Sequence, residues 1–244
     1  MIIIPSKLTY DKHLVLFQST RKGGLSKGAY ASCNMSISTD DNQISVEKNR
    51  EILFASLDIS QNNLAEAVQT HSANIEKIDK PGIYNNCDAL ITDEKGLYLS
   101  IQTADCLPIL IWDNSNRAIG AIHSGWWGTE KFILKKTIDG LVANYNSDVS
   151  NLNLYIGTGM TQKYFEVGQE FQSIFDSKYV CMHDSKLFMD NVMANYDQAI
   201  ASGILKSNIE VSPYCSFGDE DLFYSYRRDK GVTGRNIAVI GWWQ

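Results

Sequence analysis

The stretch Leu97-Tyr98-Leu99-Ser100-Ile101-Gln102-Thr103-Ala104-Asp105-Cys106-Leu107-Pro108-Ile109-Leu110-Ile111-Trp112, followed after a short polar link by Ala118-Ile119-Gly120-Ala121-Ile122-His123, decides the fold class. Its apolar runs are short, contain β-branched side chains and end at Gly, Asp, Asn or another polar residue, which predicts strands over 97–102, 107–112 and 118–123. A fourth such run covers 152–156. Between and around these runs lie helical patterns. Ser45 reads as an N-cap for a segment carrying Val46, Leu53, Phe54 and Leu57. A second helix follows Thr129, with Leu134, Ile138, Leu141, Val142 and Tyr145 on one face. A third begins at Asp190 as N-cap and ends at Gly203 as C-cap. Strands and helices alternate without strict βαβ regularity, so the reading is an α+β (mixed α/β) domain with a mixed β-sheet and flanking helices.

Composition narrows the function classes. The 244 residues are 44% hydrophobic and 11% aromatic, which excludes disorder, collagen and coiled coil and allows a large buried core. Only four prolines occur, no repeat or linker is visible, and one domain over residues 1–244 is the expectation. Lys and Arg total 22 against 28 Asp and Glu, a net charge of -6 that argues against nucleic acid or an anionic membrane as partner. The five cysteines are scattered and lack a CxxC pair, which suits a reducing, cytoplasmic setting rather than a disulfide framework. Met-Ile-Ile-Ile-Pro at the N-terminus does not read as a signal peptide, and no run is long enough for a membrane span.

Chemistry is most legible where polar residues interrupt apolar runs. His71 lies in Val68-Gln69-Thr70-His71-Ser72, Cys106 directly before a predicted strand, and His123 at the end of one. Two imidazoles and a thiolate suit a borderline-soft ion such as zinc, and three protein ligands leave a fourth position for water. The spacing matches no compact zinc motif. Two other readings therefore stand beside it: ordinary loop, strand-end and core residues, or a metal-free pair in which His activates the Cys106 thiol. Asp105 either orients a ligand by a hydrogen bond or is a turn residue.

Three further segments are ambiguous. Gly125-Trp126-Trp127-Gly128-Thr129 is either an oxyanion-holding turn into a helix or a tight turn with both tryptophans packed as core. Phe223-Tyr224-Ser225-Tyr226-Arg227-Arg228-Asp229 is either an aromatic and basic ligand surface or a strand with an Arg-Asp surface pair. Thr20-Arg21-Lys22-Gly23-Gly24 and Asn49-Arg50 are anion contacts or else a solvated turn and a helix-face charge. Trp242 and Trp243 read as core or interface.

Taken in order, these segments closely resemble the YfiH-type family, variously described as polyphenol oxidases (laccase-domain proteins), purine nucleoside phosphorylases and peptidoglycan editing factors. The resemblance spans nearly the whole chain. It rests on Thr20-Arg21-Lys22-Gly23-Gly24-Leu25-Ser26, Asn34, Asn49-Arg50, Gln69-Thr70-His71, Cys87-Asp88-Ala89-Leu90-Ile91-Thr92, Ala104-Asp105-Cys106-Leu107-Pro108, His123-Ser124-Gly125-Trp126, Ile156-Gly157, Phe165-Glu166-Val167, Tyr224-Ser225-Tyr226-Arg227-Arg228-Asp229 and Thr233-Gly234-Arg235. It implies that His71, Cys106 and His123 are the metal-binding and catalytic centre, usually with zinc, and that Arg21, Asn34, Arg50, Arg227 and Arg228 are candidates to bind substrate or phosphate. It also implies phosphorolysis of adenosine, inosine and methylthioadenosine, with deamination of adenosine. The alternatives are a copper-dependent phenol oxidase or a hydrolase that edits peptidoglycan precursors. Four histidines in the chain are too few for a His-rich multicopper cluster. One departure stands out: where the family has His-x-Gly-Trp-Arg-Gly, this chain has Trp127, which removes a guanidinium and bears on phosphorolysis more than on deamination. The resemblance does not define the oligomeric state.

Overall fold

The predicted strands form because both of their faces find apolar partners. In the computed structural model, which describes residues 2–8 and 11–243, they belong to two six-stranded mixed sheets. The first sheet runs β1 (Ile2–Ile3), β2 (Leu14–Ser19), β15 (Asn236–Trp242), β7 (Tyr98–Thr103), β3 (Leu64–Val68) and β5 (Gly82–Asn85). Its first four strands pair antiparallel, and β3 joins β7 and β5 in parallel. The second sheet runs β14 (Ile209–Val211), β10 (Leu152–Ile156), β8 (Leu107–Asp113), β9 (Ile119–Ser124), β6 (Ala89–Thr92) and β4 (Ile75–Lys77), antiparallel at its centre and parallel at both edges. A small third sheet contains β11 (Glu166–Val167), β13 (Lys186–Met189) and β12 (Val180–His183).

Alternation along each strand sorts the core into layers. Leu110 and Trp112 of β8 and Ile119 and Ala121 of β9 meet Leu16, Leu99, Ile101, Ala238 and Ile240 of the first sheet. Their neighbours Leu107, Ile109, Ile111 and Ile122 face the other way, against Ile133, Leu134, Ile138 and Leu141 of α3 (Ile133–Tyr145) and Ala199 of α5 (Asn191–Ala201). The outer face of the first sheet, through Phe17, Tyr98, Ile237 and Val239, takes Leu53 and Phe54 of α1 (Gln43–Ala55). Two short helices, α2 (Trp126–Glu130) and α4 (Phe171–Ile174), flank the third sheet's core of Phe171, Leu187, Met189 and Ala194. The result is a compact mixed α/β domain of helix, sheet, sheet and helix layers. Truncating a side chain such as Leu110 at the sheet interface would cost ~2–5 kcal/mol.

Several local expectations need adjusting. Asn42, not Ser45, caps α1, accepting the Ser45 N–H at 3.0 Å. Asp190 does cap α5, accepting from Met193 N–H at 2.8 Å, and Gly203 follows the helix at φ +104°. Val142 lies on the α3 face but is 38% exposed, so it is not part of the apolar stripe. Residues 223–229 form no strand; Tyr226–Gly231 is a run of turns, and the expected Arg228–Asp229 pair closes at 2.9 Å. Trp242 is core, at 1% exposure, and Trp243 packs edge-on to Tyr98.

Candidate metal centre and active-site cavity

The β8–β9 hairpin register places Pro108 opposite His123 and Leu107 opposite Ser124, so Cys106, at the start of β8, meets the end of β9. His71 arrives from the loop that follows β3. One ligand atom from each of His71, Cys106 and His123 lies within 4.8 Å of the other two. Cys106 Sγ is 3.9 Å from His71 Nε2, and the two imidazoles meet edge to face at 4.9 Å. Residues separated by 35 and 17 positions thus converge because three strand ends open at one place. Gly125 permits it: a Cβ there would lie 3.1 Å from Cys106 Sγ and 3.2 Å from His71 Cδ2.

Asp88 organises the group. Its buried carboxylate takes His123 Nδ1 at 2.8 Å through Oδ1, which also accepts the His71 N–H at 3.0 Å. Oδ2 accepts the N–H groups of Thr70 and Ser72 and the Ser72 hydroxyl. These bonds hold His71 in the left-handed region, at φ +58°, where a non-glycine residue costs ~1–3 kcal/mol. Because the carboxylate only accepts, His123 Nδ1 carries the proton and Nε2 is left to face the group. Burial opposes ionisation of Asp88, but hydrogen bonds from His123 and Ser72 outweigh it and hold the carboxyl at about 2. No local sequence pattern marks Asp88 for this role.

The electrostatics of Cys106 and His123 are coupled. Burial alone would raise the thiol, yet the charge and hydrogen bonds of His123, with help from His71, bring it down to about 6. Burial likewise opposes the His123 cation, but the Cys106 thiolate and Asp88 push it up to about 9. Without a metal the site is therefore a thiolate beside an imidazolium at neutral pH. This donor set fits a zinc-class ion: two imidazoles and an easily formed thiolate lie close enough to converge on one centre, and His71 is exposed to the cavity, leaving room for a further ligand.

Asp105 does not touch these ligands. At φ +97° it turns the chain into β8, and its carboxylate accepts Ser216 Oγ at 2.8 Å and Arg227 N–H at 2.7 Å. It is the turn residue, and it clamps the C-terminal loop against the site.

The three candidate ligands open into a cavity of about 720 Å³. Trp126, Phe165 and Tyr226 give it aromatic faces, Glu66 and Gln102 polar ones, and Arg227 and Arg235 cationic ones. Asn191 also lines it. Its Nδ2 donates to Ser124 O, while its buried Oδ1 has no partner among the described residues.

Of the five residues considered for substrate or phosphate, only Arg227 lines this cavity. Arg21 stacks on Tyr224 and donates to Ala31 O and Glu220 O. Arg50 is paired with Glu66 and donates to Met35 O. Arg228 is taken up by Ser216 O, Phe217 O, Phe223 O and Asp229. Asn34 is fully buried, and its Oδ1 accepts the main-chain N–H of Arg235 at 2.9 Å. The second cation of the cavity is Arg235, which no local sequence pattern marks as a ligand. Trp127, at 49% exposure, is not packed as core: it stacks on Trp126 at 5.5 Å and lies outside the cavity. The missing family arginine therefore leaves the cavity with two guanidinium groups. The turn before α2 offers only a five-residue helix.

Comparison with known proteins agrees with this architecture. A purine nucleoside phosphorylase of Deinococcus radiodurans is 35% identical over 227 residues, covering 91% of this chain and 87% of that protein. One of Bacteroides thetaiotaomicron is 31% identical over 242 residues, covering 92% and 90%. The crystal structure of YlmD from Geobacillus stearothermophilus matches with a TM-score of 0.91 at 29% identity, over 96% of this chain and 93% of that one. With a family-model match across residues 15–243, this chain belongs to the YfiH-type family, described as multi-copper polyphenol oxidoreductase laccase.

Proposed function

We propose that this chain is a zinc-dependent purine nucleoside phosphorylase of the cytoplasm, its 244 residues acting as one catalytic domain on adenosine, inosine and methylthioadenosine. The observation that carries the reading is the meeting, in one cavity, of a two-imidazole, one-thiolate donor set with aromatic faces and guanidinium groups. The names of the relatives from Deinococcus radiodurans and Bacteroides thetaiotaomicron support it. The family description names several coppers, but among the described residues one group alone offers three converging His, Cys, Asp or Glu ligands. That favours a single ion held by His71, Cys106 and His123. When bound, zinc supplies Lewis acidity and brings the acidity of water toward neutral pH.

The chain's own groups do the rest. Asp88 holds the proton on His123 Nδ1 and fixes the His71 loop. Trp126, Phe165 and Tyr226 offer faces on which a purine can stack, and the guanidinium groups suit an oxyanion. In phosphorolysis a phosphate oxygen forms the bond to ribose C1′ as the C1′–N9 bond breaks. The bonding electrons leave with the base, which takes up the proton that the attacking hydrogen phosphate gives up, so that adenosine yields adenine and ribose 1-phosphate. Holding both reactants in one cavity lowers the barrier by removing the cost of bringing them together. Deamination of adenosine is a second reading, favoured by the exposed His71 side of the donor set, where water has access.

Product analysis on adenosine separates these activities. Free adenine that forms only with phosphate is the expected result. Inosine formed without phosphate marks deamination, and a protein that makes neither product overturns the assignment to nucleosides. Dye oxidation dependent on added copper would support the oxidase instead.

A further inference from the structure

Arg235 and Arg227 share an unusual situation. Arg235 directly precedes β15, and its backbone is fixed by Asn34, which accepts its N–H at 2.9 Å, and by Met35, whose N–H donates to its carbonyl at 3.1 Å. Its Nη1 donates to Thr233 O and Gly234 O, both at 3.0 Å, and its guanidinium lies over the Tyr226 ring at 5.4 Å. Nε and Nη2 have no protein partner among the described residues. Arg227 is arranged likewise: Nη1 donates to Glu166 O at 2.8 Å, the guanidinium lies over Phe165 at 5.7 Å, and Nε and Nη2 have no protein partner among the described residues. Arg228 and Arg50, by contrast, each pair with a carboxylate.

Arg235 is partly buried, with Asp105 and Cys106 the nearest negative groups, and Arg227 is exposed at the cavity. Neither forms an ion pair among the described residues, and a partly buried guanidinium left so is costly unless something anionic reaches it. Both unpaired groups line the cavity that holds Cys106 and His123. The backbone of each is anchored: Arg227 donates its N–H to Asp105, the residue before Cys106, and Arg235 donates its N–H to Asn34. A planar guanidinium whose Nε and Nη2 remain open offers one bidentate donor edge, which matches a tetrahedral oxyanion.

We infer that Arg235 and Arg227 form the binding subsite for inorganic phosphate, with Arg235 the anchoring residue. This rests on the phosphorolytic reading above and deepens it. Asn34 acts as a positioning residue, which gives a reason for its burial within the matched motif.

The test is phosphate binding to the metal-loaded full chain at low ionic strength, by phosphorus NMR line broadening or calorimetry, in the native protein and in Arg235→Gln, Arg235→Lys and Arg227→Gln. Thermal melts check folding of each variant. Native protein should bind inorganic phosphate, Arg235→Gln should bind it about tenfold or more weakly, and Arg235→Lys should recover part of the loss. Equal phosphate affinity in native protein and Arg235→Gln overturns the subsite while leaving phosphorolysis intact. If Arg235→Gln fails to fold, Arg227→Gln and Arg235→Lys decide, and unchanged affinity in both overturns it as well. Arg235-dependent binding of adenosine 5′-monophosphate without binding of inorganic phosphate overturns both the assignment and the phosphorolytic reading.

Discussion

Asp88 Oδ1 lies 2.8 Å from His123 Nδ1 and 3.0 Å from the main-chain N–H of His71, so one buried carboxylate fixes both imidazoles of the candidate metal centre. One group sets the tautomer of one ligand and the backbone conformation of the other.

Asp88→Asn should therefore weaken metal binding by about 10–100-fold, the usual effect of losing a carboxylate behind a ligating histidine. Asp88→Ala should cost in addition ~3–5 kcal/mol of folding stability, because buried donors lose their acceptor. Zinc competition with a chromophoric chelator and thermal melts measure the two effects. Unchanged zinc affinity in Asp88→Asn would remove the carboxylate from this role.

Metal uptake should release protons in a pattern set by the coupled pair. With Cys106 held at about 6 and His123 raised to about 9, the thiol is already ionised at pH 7.5 but His123 still carries its extra proton. Zinc binding then displaces about one proton. Release should rise further as pH falls below the Cys106 value, where more of the three ligands carry a proton that the metal must displace, and fall toward zero above the His123 value. Calorimetry in buffers of different ionisation enthalpy reads this number directly. A pH-independent release would contradict the thiolate–imidazolium pairing.

Gly125→Ala should damage the centre selectively. The added methyl meets Cys106 Sγ and His71 Cδ2 at 3.1 and 3.2 Å, which forces one or both ligands to give way. Gly125 has φ -72°, so the backbone itself tolerates alanine. The expected result is a folded protein with near-native melting of the metal-free form and reduced zinc affinity. A variant that binds zinc like native protein would show that the ligands have slack.

Much of this architecture is legible in the sequence because the central strands are buried on both faces, so they read as continuous apolar runs. The run at 152–156 coincides with β10, the run at 107–112 stops one residue short of the end of β8, and those at 97–102 and 118–123 are each offset by one residue from β7 and β9. Cys106 and His123 stand out for the same reason: a polar side chain ending an apolar run is conspicuous. Asp88 is not, since Cys87-Asp88-Ala89 looks like any turn into a strand and its partners lie 16–18 and 35 residues away. The arginines mislead in the opposite way. Arg21 and Arg228 carry the charge of phosphate ligands, but the carbonyls that occupy them are supplied by loops whose placement no local pattern encodes. Ser45 reads as the cap from its residue type alone, and the fold starts the helix one residue after Asn42, whose side chain accepts the Ser45 N–H.

The central claim is that His71, Cys106 and His123 hold one zinc on which phosphorolysis depends. Elemental analysis of protein purified without added metal, paired with adenosine phosphorolysis by the same samples, tests it most directly. Native protein should carry about one zinc per chain and be active, and Cys106→Ala should lose both. Full activity in Cys106→Ala protein devoid of zinc would contradict the account.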